Sequence, residues 1–121
     1  MGARAIVVVD HGSREPAANA LVEAVVEQVR AKRPDCAVAH AHMEIAEPDL
    51  ATALEACIAA GATEVVVAPF FLAPGRHGAG DIPRLAREAA ARHPAVTVHV
   101  ADPLGAHPAV VDALLDRIDA T

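Results

Sequence analysis

A three-layer α/β/α fold on a four-stranded parallel sheet, strand order 2-1-3-4, is predicted by three features of this 121-residue chain. Two β-branched runs, Arg4 to Asp10 and the run opening at Val65, lack polar alternation, as strands buried on both faces do. Each strand-like run is followed by apolar residues at helical spacing, and this β-α pair repeats four times. Right-handed crossovers then place the two most apolar strands, the first and third, at the centre. The chain leaves strand 1 in one direction and strand 3 in the other. A crevice therefore opens between their carboxyl ends, where open α/β sheets bind ligands.

Each element has its own justification. After Arg4 to Asp10 comes His11-Gly12-Ser13-Arg14, and Pro16 opens a helix with Leu21, Val22, Val25, Val26 and Val29 on its apolar side, stopped by Pro34. Cys36 to Glu44 alternates, as an edge strand does, and gives His40, His42 and Glu44 one parity. Pro48 begins a second helix through Leu50, Leu54, Cys57 and Ile58, with Gly61 as its stop. The third strand runs into a Pro/Gly-rich turn, and a third helix is predicted from about Asp81 to Arg92, with Asp81 as N-cap and Pro83 in its first turn. Val96, Val98 and Val100 mark strand 4, and Ala101 to His107 its exit loop. Pro108 starts a last helix expected to pack through Val110, Val111, Leu114, Leu115 and Ile118. The segments RPDCAVAHAHMEIAEP and HPAVTVHVADPLGAHP form a faint internal repeat.

Composition narrows the function. One domain over 1–121 is expected, and with 54% hydrophobic residues and no apolar run near ~18 residues, neither disorder nor a membrane span fits. The opening MGARAIVVVDHG does not resemble a signal peptide, so the cytoplasm is the expected location. Cys36 and Cys57 form no CxxC, and packing is the expectation for both. A net charge of −6 and the absence of Trp and Tyr argue against nucleic acid.

Chemistry concentrates at the two central strand exits. His11 follows strand 1 and His77 lies in the turn after strand 3, so topology brings two imidazoles to one crevice, able to ligate a divalent metal or accept protons. Glu44, ending strand 2, could add a carboxylate, and a His/His/Glu set with open positions suits Co, Ni or Fe. Arg14 and Arg76 accompany the histidines as candidate carboxylate or phosphate receivers, and Gly75, Gly78 and Gly80 would let a bulky ligand approach the backbone. These glycines match neither GxxxxGK[ST] nor GxGxxG after a strand. Phe70 and Phe71 must point oppositely, one to the core and the other to the crevice wall. His40 and His42 could form an i, i+2 ligand pair on the strand face, and read at least as well as satisfied or solvated; His93 reads as a helix C-terminal residue and His99 as exposed, and His107 could reach the crevice.

VVVDHGSR, HMEIAEP and PFFLAPGRHGAGDIP, in that order and at this spacing, resemble the CbiX-type sirohydrochlorin chelatases in their short single-domain form. The resemblance implies a class II chelatase fold, ATP-independent insertion of a divalent metal into a tetrapyrrole, and a homodimer. It also implies that His11 and His77 are the essential histidines and Glu44 the acidic metal ligand, with Glu47 an alternative to Glu44. The metal itself is substrate, and no further cofactor is implied. Co2+ is expected, with Ni2+ or Fe2+ as alternatives. A metal-dependent hydrolase or lyase and a non-catalytic metal or tetrapyrrole carrier are the competing classes.

Overall fold

The structure is a computed structural model that describes residues 3–73 and 75–121, with the side chains of 75–80 outside the description. Strands and helices alternate: β1 (Ala3–Asp10), α1 (Pro16–Lys32), β2 (Ala37–His42), α2 (Leu50–Ala59), β3 (Ala62–Pro69), α3 (Gly75–Arg92), β4 (Thr97–Val100) and α4 (Pro108–Asp119). The sheet is parallel throughout in the order β2-β1-β3-β4, as the crossover argument predicts.

The core explains why β1 and β3 are central. Val7, Val9, Val65 and Val67 are fully buried beneath α2 and α3 with Leu50, Leu54, Ile82 and Ala89. On the opposite face Val8 and Val38 meet Val22 and Val26 of α1. Strands closed over on both sides need apolar residues at every position, hence the unbroken runs.

Four expectations need correction. β2 ends at His42, so Glu44 lies in the loop beyond the strand rather than at its end. α2 begins at Leu50 rather than Pro48, because Asp49 takes the N-cap and accepts the Thr52 N–H at 2.8 Å. α3 begins at Gly75 rather than near Asp81, which leaves Pro83 inside the helix and Asp81 at 3.5 Å from Arg84 as an internal residue. Glycine and proline read as a turn by local propensity, but burial of Ile82, Ala86 and Ala89 holds the stretch helical. Finally, α4 does not pack as expected: none of its residues is buried, and Val111, Leu114, Leu115 and Ile118 are between 45% and 60% exposed.

Candidate functional site at the carboxyl edge of the sheet

The rim between β1 and β3 is built by register. Asp10 and His42 are Cα partners at the last paired position of β1 and β2, and His42 Nδ1 lies 2.6 Å from Asp10 Oδ1 with His42 only 2% exposed. The same carboxylate oxygen accepts the Gly12 N–H at 3.1 Å, closing an Asx-type turn directly under His11. One side chain thus fixes both the end of β2 and the turn that carries His11.

That turn is fastened to the loop after β2. Met43 N–H donates to the Asp10 carbonyl at 2.9 Å and Glu44 N–H to the His11 carbonyl at 3.2 Å. Gly12, at φ +88°, approaches so closely that a Cβ there would lie 1.9 Å from the Glu44 carbonyl oxygen, so glycine is required by contact as well as by dihedral. Ala46 N–H returns to the Glu44 carbonyl at 2.8 Å across Ile45, whose φ is +74°, the geometry of a rare γ-turn for a β-branched residue. Strained backbone of this kind concentrates where a side chain must be aimed. Glu44 and Ile45 both point outward into solvent.

From the other side, Phe70 N–H donates to the Val9 carbonyl at 2.7 Å, continuing the β1–β3 ladder past the strand end. Phe71 then stacks on His11, ring centroids 4.3 Å apart and planes inclined by 22°. The imidazole is held flat on an aromatic wall while remaining exposed. Phe70 packs on the α1 side, so the two phenylalanines do diverge as alternation requires. Leu104 and Gly105 N–H groups donate to the carbonyls of Phe71 and Leu72 at 3.0 and 2.9 Å, which brings the exit loop of β4 to the same rim. Ile45, Leu72 and Leu104 are exposed apolar residues of these loops.

Of the expected site residues, His11, Glu44 and Arg14 are described, and all three are exposed at this edge. His77, Arg76, Gly75 and Gly78 fall within 75–80, outside the described side chains. Among the described residues no three His, Cys, Asp or Glu side chains are grouped closely enough to hold a metal ion. His107 does not turn inward; its Nδ1 accepts the Ala109 N–H at 3.0 Å as N-cap of α4. His93 bridges α3 to α2 through Glu55 at 2.9 Å and holds that carboxyl below its usual range, with Arg92 adding to the effect. His99 pairs with Glu64 at 3.3 Å on the outer strand. Burial pushes the Cys57 thiol up, away from the reactive thiolate. A cavity of about 450 Å³ lies instead along the free edge of β2, lined mainly by small apolar residues, and contains none of the expected site residues. The Asp10–His42 pair is what sequence reading missed. No signal in the sequence pointed to it, because with strand 2 read as ending at Glu44 the partner of Asp10 depends on a register that only the structure shows.

Comparison with known proteins bears on the family and the fold. The chain is 42% identical over 113 residues to the chloroplastic sirohydrochlorin ferrochelatase of Arabidopsis thaliana, covering 93% of this chain and 50% of that one. It is 30% identical over 134 aligned positions to a sirohydrochlorin cobaltochelatase of Methanopyrus kandleri, covering 94% of both. The chain thus spans about half the length of the first relative and nearly all of the second. The crystal structure of the sirohydrochlorin chelatase SirB from Bacillus subtilis subspecies spizizenii in complex with cobalt superposes on 98% of this chain and 50% of that one, with a TM-score of 0.88 at 32% identity. No helix among the described residues is long and apolar enough to cross a membrane. With the CbiX family model matching residues 5–121, and with the sheet order and rim turns just described, this chain belongs to the CbiX family.

Proposed function

We propose that the protein inserts a divalent metal ion, Co2+ by preference, into sirohydrochlorin without ATP or any cofactor beyond the substrate metal. The observation that carries this reading is His11: an exposed imidazole at the crevice mouth, held flat on Phe71 and fastened by its backbone to the Glu44 turn. Metal insertion requires removal of two pyrrole N–H protons while the ion sheds water, and an imidazole can accept a proton or ligate the ion in passing. Glu44, aimed outward by the strained turn at Ile45, supplies a carboxylate on the same rim, and His77 the second imidazole. Exposed Ile45, Leu72 and Leu104 offer apolar surface to the macrocycle, while Arg14 and Arg76 receive its carboxylates and Gly75 and Gly78 admit it close to the backbone.

Cobalt is supported by the 30% identity to a cobaltochelatase; iron is the second reading, favoured by the 42% identity to a ferrochelatase. A cytoplasmic location is consistent with Cys36 and Cys57 being unpaired thiols. The test is the absorption change of sirohydrochlorin with Co2+, Fe2+ or Ni2+. Multiple turnovers are expected, fastest with Co2+, and His11→Ala and His77→Ala should each slow insertion by about 100-fold or more while remaining folded. Stoichiometric binding without turnover, or variants as fast as the parent protein, would reject the reading.

A further inference from the structure

The loop that carries His11 and Arg14 is held at its two ends by different side chains. It runs from the end of β1 at Asp10 to the start of α1 at Pro16. The His11 end is fastened by the Asp10 carboxylate, the Glu44 N–H and the Phe71 ring. The Arg14 end hangs on Asn19, in the first turn of α1. Asn19 Oδ1 accepts the Ser13 N–H at 2.9 Å, and Nδ2 donates to the Ser13 carbonyl at 2.7 Å. The Ser13 hydroxyl completes the fastening by accepting the Glu15 N–H at 3.0 Å.

Both Asn19 bonds go to a residue outside the helix, so this side chain does not serve α1 itself. A cap would satisfy the free N–H groups of the first turn, and Glu15, the N-cap of α1, makes no side-chain cap bond. Ala17, Ala18 and Ala20 surround Asn19, and alanine is the better helix former at such a position. The helix gives up propensity there and the loop gains a clamp. A peptide N–H only donates and its carbonyl only accepts, so the group facing Ser13 needs one acceptor and one donor side by side, which a carboxamide has and a carboxylate lacks.

Arg14 is the residue that this clamp serves. It adjoins Ser13, it is exposed, and among the described residues nothing pairs with its guanidinium. A guanidinium left to solvent by its own chain is available to an anionic ligand, but a ligand that must order the loop as well as the side chain binds more weakly. Fixing Ser13 beforehand removes the loop's share of that penalty.

We propose that Asn19 is a positioning residue for binding: its carboxamide presets the Ser13 peptide so that Arg14 meets a carboxylate of the tetrapyrrole. The inference rests on the chelatase reading for the identity of the ligand, and it goes beyond that reading by assigning a residue that acts through Arg14 rather than on the reacting atoms.

Titration of the metal-free protein with sirohydrochlorin, followed by absorption, gives the test. Asn19→Ala, and Asn19→Gln, whose carboxamide sits too far out to meet both Ser13 atoms, should each raise Kd about 5- to 10-fold, with a smaller effect on the rate of Co2+ insertion at saturating sirohydrochlorin. Amide exchange at Ser13 should quicken in both. In an Arg14→Ala background the same substitutions should change Kd by less than about two-fold, because what they loosen no longer binds. An equal loss in both backgrounds overturns the inference, and so does parent-like affinity or failure of both variants to fold. A parent protein that binds sirohydrochlorin without turnover rejects the chelatase reading while the same titration still decides this one; a parent protein that does not bind it rejects both.

Discussion

His42, buried beneath the end of the sheet, places Nδ1 2.6 Å from Asp10 Oδ1, and that oxygen also accepts the N–H of Gly12. The turn that carries His11 therefore depends on the Asp10 side chain. Asp10→Ala should orphan both partners and cost about 1–3 kcal/mol in urea denaturation, while Asp10→Asn, which keeps an acceptor for Gly12, should cost less. Metal insertion should fall in the same order. Equal stability for the two variants would show that the pair does not hold the rim.

Gly12 is required by contact and by dihedral. In Gly12→Ala the new methyl would meet the Glu44 carbonyl 1.9 Å away, so the turn after β2 must shift. A loss of roughly 2 kcal/mol or more in thermal denaturation, together with slower insertion, is expected. A variant indistinguishable from the parent in both would mean that the two loops are not fastened as described.

The His11–Phe71 stack can be separated from simple packing. Phe71→Leu keeps an apolar side chain but removes the aromatic wall, which should cost about 1 kcal/mol of stability and slow insertion disproportionately. Insertion rates that merely track stability would reduce Phe71 to a core residue.

The cap of α2 gives a pH-dependent prediction. Hydrogen bonds from the side chain and backbone N–H of Thr52 hold the Asp49 carboxyl below its usual range. A lowered native value means the stabilisation is fully present above the ordinary aspartate range and is lost as pH falls through the native value. Asp49→Ala should therefore cost about 1 kcal/mol near neutrality and progressively less in strong acid. Denaturant midpoints measured at both ends of that range give the comparison.

The eight elements, the parallel order and the nearness of His11 to the β3 exit were legible in the sequence, because apolar runs and crossover handedness are local rules that this chain obeys without conflict. Sequence reading went wrong at Gly75 to Pro83, where turn-like composition was overridden by the burial of Ile82, Ala86 and Ala89, and at Glu44, placed on a strand when it belongs to a tight turn. That Asp10 serves both His42 and Gly12, and that α4 leaves its own sheet, emerged from the fold. The helical period of Val111, Leu114, Leu115 and Ile118 states that one side of α4 is apolar; it carries no information about which surface covers that side, since periodicity is a property of one segment and burial a property of two.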